Sequence, residues 1–171
     1  MRLFAVSALA LATLATPAFA QEAAGPFSGP RAEVVAGWDH AGSFGAGTSG
    51  FAYGGAIGYD LQLSNSVIGA EAEITGATTE EDDVSAGRDL YVGARIGYVV
   101  APSTLLYAKA GYTNARVSVD DDGANFDGYR VGGGIEHSFG RFYGKVEYRY
   151  SRYEDAELNR DQVMAGVGIR F

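Results

Sequence analysis

The last ten residues, Gln162-Val163-Met164-Ala165-Gly166-Val167-Gly168-Ile169-Arg170-Phe171, alternate without a break. Val163, Ala165, Val167, Ile169 and Phe171 share one side of a period-2 ribbon, and the intervening residues share the other. A strand of this pattern ends on an aromatic at the edge of an apolar row. Water penalises that arrangement, whereas a bilayer accommodates the row in hydrocarbon and the aromatic at the interface. The terminal strand therefore predicts a sheet that faces lipid.

The other end of the chain agrees. Met1-Arg2 is a short positive region, Leu3 to Ala15 an apolar core, and Pro17-Ala18-Phe19-Ala20 a small-x-small cleavage pattern. Residues 1–20 are expected to be a cleaved export signal, leaving Gln21 as the mature N-terminus. The apolar run is too short for a spanning helix. No cysteine follows the cleavage pattern, so no lipid anchor is expected there. With none anywhere in the chain, disulfides, thiolate metal sites and cysteine nucleophiles are excluded.

About 150 residues remain, a single domain by length. Residues 21–30 form a lead-in without periodicity, and residues 31–171 carry eight strand-like segments. These are Arg31–His40, Phe51–Leu63, Val67–Gly76, Asp89–Val100, Thr104–Arg116, Gly128–Phe139, Arg141–Arg152 and Gln162–Phe171. Each approaches or exceeds the roughly 9–11 residues that a tilted membrane strand needs. Connections alternate in length. Ser64-Asn65-Ser66, Ala101-Pro102-Ser103 and Gly140 read as tight turns, whereas Ala41–Gly50, Ala77–Arg88, Val117–Asp127 and Tyr153–Asp161 read as long polar loops. The expected fold is all-β: an eight-stranded, antiparallel, up-and-down transmembrane β-barrel with both termini at the short-turn end.

Alternation alone leaves open which row points inward, since a soluble barrel has the apolar row inside. Phe171, the turn/loop rhythm and aromatics near strand ends on the apolar row (Trp38, Phe51, Tyr53, Tyr59, Tyr98, Tyr112, Phe139, Phe142, Tyr150) favour the inverse. The inward rows then carry Glu33, Asp60, Glu71, Glu73, Asp89, Glu136 and Glu147 against Arg95, Lys109, Arg130, Lys145, Arg149 and Arg170. An eight-stranded barrel holds little beyond its own side chains. Buried charges persist there only when paired, so these residues are expected to form a lumen charge network that plugs the barrel. Much of the net charge of −8 sits instead in the loops, at Glu80, Glu81, Asp82, Asp83, Asp120, Asp121 and Asp122 and in the Glu154–Asp161 segment. No basic patch is present, so nucleic acid is not an expected partner.

Gly37-Trp38-Asp39, Gly54-Gly55-Ala56-Ile57-Gly58-Tyr59-Asp60, Leu106-Tyr107-Ala108-Lys109-Ala110-Gly111-Tyr112, Lys145-Val146-Glu147-Tyr148-Arg149-Tyr150 and the closing Gly168-Ile169-Arg170-Phe171 carry a family likeness. From about Arg31 to Phe171 the chain resembles the small outer-membrane β-barrel proteins related to the OmpA transmembrane domain, OmpX and the opacity-type surface antigens. Full-length OmpA has a second, peptidoglycan-binding domain. Here the sequence ends on strand eight, so tethering to the cell wall is not implied. The resemblance implies location in the cell outer membrane and contact with its lipids and lipopolysaccharide or an equivalent. It also implies contact with periplasmic chaperones and the barrel-assembly machinery, with Phe171 as an assembly signal. The expected role is structural and surface-exposed, as a monomer. A narrow porin or ion channel is the alternative, and a lipid-A-modifying enzyme of PagL or PagP type a distant third.

No catalytic, cofactor or metal residue is proposed. Glu136-His137-Ser138 has hydrolase residue types, but neighbours on a strand point to opposite faces, and the PagL-like pattern places one residue between His and Ser. Asp120-Asp121-Asp122-Gly123 fails the spacing of a calcium loop, since Ser118 and Tyr129 fall at its ends. Gly132-Gly133-Gly134 precedes no helix and cradles no phosphate.

Overall fold

The computed structural model describes residues 25–43, 46–77, 84–119, 122–153 and 158–171. Eight strands follow one another: β1 (Gly29–Ser43), β2 (Ala46–Leu63), β3 (Ser66–Ala77), β4 (Val84–Ala101), β5 (Thr104–Val119), β6 (Asp122–Phe139), β7 (Phe142–Tyr153) and β8 (Leu158–Arg170). Each pairs antiparallel with its neighbours in sequence, and β1 pairs with β8, which closes the barrel. Closure leaves no free edge, so the ladder satisfies backbone groups that lipid cannot.

All three tight connections are two-residue hairpins, with Pro102 and Ser103 linking the paired Ala101 and Thr104. Gly140 and Arg141 link the paired Phe139 and Phe142, with Gly140 at φ 76°, a conformation that suits glycine at the first turn position. Ser64 and Asn65 link Leu63 to Ser66, and Ser64 adopts φ 57°. Arg141, expected within strand seven, thus belongs to a turn.

Strands also run further toward the long-loop end than the sequence pattern indicates. Ser43 pairs with Ala46, Val119 with Asp122 and Tyr153 with Leu158. Asp122, expected in an acidic loop, is therefore the first residue of β6. The cause is that a paired ribbon satisfies its backbone in water as well as in lipid. Polar side chains mark where the apolar band ends, not where pairing ends. The acidic residues Glu80, Glu81, Asp82, Asp83, Asp120 and Asp121 lie outside the described residues.

The outward rows are apolar. Val34, Ile57, Ile68, Val92, Ile96, Leu106, Ile135, Val146 and Val167 are exposed along the wall. Tyr59, Tyr98, Phe139, Phe142 and Phe171 ring the short-turn end, and Trp38, Phe51, Tyr53, Tyr112, Tyr129 and Tyr148 the other. Phe171 is 69% exposed, and its N–H donates to the Pro30 carbonyl. Little of the interior is apolar: Phe27, Val67, Leu105 and Tyr107 form one cluster, and Val35, Ala52 and Met164 another. The barrel is apolar outside and charged inside.

That assignment has a direct test. Val167 is 62% exposed, midway along the outward apolar row of Val163, Ala165, Val167, Ile169 and Phe171, and Val167→Arg is expected to destabilise the refolded barrel in bilayers by about 2–4 kcal/mol. Equilibrium unfolding that showed the variant to be neutral would contradict the facing.

Candidate functional site

Because successive residues of a strand alternate faces, every second residue is directed into the barrel. In β7 this places Lys145, Glu147, Arg149 and Ser151 inward, and all four are buried. The same parity buries Glu71, Glu73 and Thr75 on β3 and Arg31, Glu33 and Asp39 on β1. Every charged residue expected in the lumen from the sequence is buried. Three further members, Arg31, Asp39 and Arg160, were missed by the sequence reading. Arg31 and Asp39 share the odd parity of Glu33, and Arg160 the even parity of Gln162, so the signal was available.

Toward the short-turn end lies a closed ring. Arg95 donates from Nε to Asp60 at 2.8 Å and from Nη2 at 2.5 Å, a two-pronged contact that matches guanidinium to carboxylate. Its Nη1 donates to Glu136 at 2.9 Å. Arg170 completes the circuit, donating to Glu136 at 2.5 Å and back to Asp60 at 2.7 Å. Asp60, Arg95, Glu136 and Arg170 come from β2, β4, β6 and β8, so the ring draws on alternate strands only.

The next group comes from the other four strands. Arg31 and Glu33 (β1), Glu71 and Glu73 (β3), Lys109 (β5) and Lys145, Glu147 and Arg149 (β7) interlock across the lumen. Lys109 Nζ lies 2.7 Å from both Glu71 and Glu147. Lys145 Nζ is 2.6 Å from Glu33 and 3.3 Å from Glu147. Arg31 reaches Glu71 at 2.5 Å, and Arg149 grips Glu73 with two bonds of 2.6 and 2.7 Å while its Nε donates to Glu147. Tyrosines supply further donors: Tyr107 OH donates to Glu147 and Tyr143 OH to Glu33. Toward the long-loop end a further group draws on β1 as well as on even strands. Arg130 (β6) pairs with Asp89 (β4) at 2.5 Å, and Arg160 (β8) bridges Asp89 at 3.2 Å and Asp39 at 2.7 Å.

Eight carboxylates thus meet eight cations, and the paired groups sum to zero charge. Each buried charge has an ionic partner. The buried atoms left without a hydrogen-bond partner among the described residues are of both kinds: the neutral Thr75 hydroxyl, Tyr91 hydroxyl and Gln162 amide, and Arg31 Nε and Nη1, Glu33 Oε1 and Arg170 Nε of groups that nevertheless hold ion pairs. Cationic side chains also lie over rings, with Lys109 Nζ 4.7 Å from the centroid of Tyr91 and Arg95 5.0 Å from that of Tyr107. Gly168 makes room for one such tyrosine: a Cβ there would sit 2.3 Å from the Tyr143 ring.

The short-turn mouth is closed by a residue outside the strands. Phe27 is fully buried against Val67, Leu105 and Tyr107. Nothing in the periodicity of residues 21–30 signals it.

The hydrolase-like triplet is separated by the wall. His137 is exposed on the outer face, bonded through Nδ1 to Thr104 Oγ1 at 3.0 Å and edge-on to Phe139, while Glu136 belongs to the ring inside. His40, near the opposite end, bonds Ser49. No group of His, Asp and Glu suited to a metal is found among the described residues.

A family model described as outer membrane protein beta-barrel domain matches residues 6–171. Among solved structures, Neisserial surface protein A superposes with a TM-score of 0.62 at 17% identity, covering 84% of this chain and 98% of that one. Ail, the attachment invasion locus protein of Yersinia pestis, gives 0.59 at 17% identity over 84% and 99%. The N-terminal β-barrel domain of Pseudomonas aeruginosa OprF gives 0.55 at 16% identity, also over 84% and 99%. At such identities the likeness is one of fold. Comparison with curated proteins gives no match.

Glu147 is the most shared carboxylate of the middle group, in contact with Lys109, Lys145, Arg149 and Tyr107. Glu147→Ala leaves one cation uncompensated and is expected to cost about 3–5 kcal/mol of barrel stability. Glu147→Gln keeps the shape but not the charge and should recover little. Unfolding in lipid vesicles measures both, and a neutral Glu147→Ala would show that the pairing carries no weight.

Proposed function

This chain belongs to the outer membrane protein beta-barrel domain family, and from that membership we propose that it is a structural, surface-exposed barrel whose lumen is closed by its own ion pairs. The observation that carries the reading is the balanced, buried pairing of eight carboxylates with eight cations. A side chain held by two or three opposite charges is fixed in place, and a lumen filled with such groups has no continuous path for hydrated ions. The protein is a monomer in this reading, bounded by outer-membrane lipids and lipopolysaccharide or an equivalent. Residues 1–20 are its cleaved export signal. Phe171, exposed at the end of β8, is its assembly signal to the barrel-assembly machinery, delivered there by periplasmic chaperones. The outward position of His137 and the engagement of Glu136 in the ring support a non-enzymatic role.

Recognition is assigned to the loops, because a rigid scaffold commonly carries its variable, functional residues there. Ail is named for attachment and has been solved with the heparin analogue sucrose octasulfate. Here Glu80-Glu81-Asp82-Asp83 and Asp120-Asp121-Asp122 concentrate negative charge, so a polyanion of that kind is repelled and a cationic surface is the fitting partner.

Two experiments address the two halves of this reading. Single-channel recording on the refolded mature protein should show no stable, porin-sized steps; their appearance would replace the closed lumen with the channel alternative. A peptide tag at Asp82 or Asp121 should be accessible on intact cells. Detection only after the outer membrane is permeabilised would reverse the topology and remove the surface role.

A further inference from the structure

The short-turn mouth holds an occupant that is not part of its wall. Val67, Leu105 and Tyr107 lie on strands, whereas Phe27 precedes β1. Its ring is fully buried between them. Its backbone is read on both sides: the Phe27 N–H donates to Gln62 Oε1 at 3.1 Å, and the Phe27 carbonyl accepts from Arg170 Nη1 at 3.2 Å. Ser28 Oγ accepts from the Gln62 N–H at 3.0 Å, and the Ser28 N–H closes a turn on the Gly25 carbonyl. An aromatic pocket with contacts to both the N–H and the C=O of the residue it holds is how a protein holds a short peptide segment.

The attachment of this segment differs from that of every strand residue inside. Lys109 or Glu147 cannot leave the lumen without unzipping a ladder. Residues 25–28 contribute no ladder pair, since pairing begins at Gly29 with Asp60. Gly29 itself has φ +109°, a backbone conformation that side chains disfavour, so the chain bends away from the β1 ladder at a residue free of side-chain restraint. Rotation there would withdraw Phe27 without disturbing a strand. Directly behind the ring stands Arg170, 5.7 Å from its centroid, and through Arg170 the ring of Asp60 and Glu136.

We propose that the short-turn mouth is a peptide-binding site occupied in cis by residues 25–28, and that Phe27 is a removable stopper separating the charged lumen from water. The inference rests on the closed-lumen reading and adds to it the place where the lumen can be opened. With Phe27 seated, apolar contacts cover the ion-paired ring. With it withdrawn, water reaches Arg170, Asp60 and Glu136, and the pairs nearest the mouth exchange their partners for solvent.

The absence of cysteine from the chain makes the test free of background. Val67→Cys places a reporter in the mouth, and Ser64→Cys places a control on the exposed turn. Both are reacted with a membrane-impermeant maleimide in the refolded full-length mature barrel. The Val67→Cys thiol should react at least about tenfold more slowly than the Ser64→Cys thiol, and Phe27→Ala should remove most of that protection. Phe27→Leu, which refills the pocket, should restore it. Should Phe27→Ala not fold, Gln62→Ala removes the acceptor of the Phe27 N–H from a half-exposed position and should also raise the rate. Equal rates with and without Phe27, or no rise in any folded variant, overturn the stopper. Recording current from the same preparations separates the two readings. A silent barrel whose Val67→Cys thiol reacts fast loses the stopper and keeps the closed lumen. A conducting one loses the closed lumen, and loses the stopper too only if that thiol also reacts fast.

Discussion

Hydrocarbon offers a peptide group nothing to bond to, and the rest of this structure follows from that. Each N–H and C=O in the membrane must find its partner within the protein, and β1 pairing with β8 achieves it for a sheet. Closure then traps half of every strand's side chains in a tube barely wider than they are. Polar residues are tolerated there only if they satisfy one another. The neutrality of the lumen is therefore a condition set by the wall, and the pairing of Arg95 with Asp60 or Lys109 with Glu71 is how the sequence meets it.

The contributions from alternate strands show how so many charges fit. Asp60, Arg95, Glu136 and Arg170 come from even-numbered strands, and Arg31, Glu33, Glu71, Lys109 and Glu147 from odd-numbered ones. Parallel barrels fill their interiors in a related way, with each layer supplied by every second strand. Small residues between the charges make this possible. Tyr143 crosses the space over Gly168 to reach Glu33, and Tyr91 lies over Gly93, where a Cβ would meet its hydroxyl at 2.1 Å.

Much of this was legible in the chain. Strand number, facing and the inward charges follow from period-2 alternation, because facing is a local property of the backbone. Arg31, Asp39 and Arg160 obey the same parity and were passed over because each lies near or beyond a strand end as the apolar row defines it. The pairing scheme was not legible. That Arg149 would grip Glu73, or Arg31 meet Glu71, depends on how far neighbouring strands are staggered, and no spacing within one strand encodes it. Phe27 was hidden for a different reason: a residue placed by a turn and two side-chain contacts leaves no periodic trace. The polar segments around Ser43 and Asp122 misled in the opposite direction, since side-chain polarity reports the solvent and not the ladder.

The ring at the short-turn end has a consequence for how the barrel recognises its own correct form. Alternation of apolar and polar residues detects a register slip of one residue, because every side chain then changes face. It is blind to a slip of two, which returns each residue to the same kind of environment. Arg170 is not blind to it. A displacement of β8 by two positions carries the guanidinium about 7 Å along the barrel, away from Asp60 and Glu136, and leaves the remaining ring with one carboxylate more than it has cations. The charges thus act as a key for alignment at the seam where the first and last strands meet, and the wrong tooth does not fit.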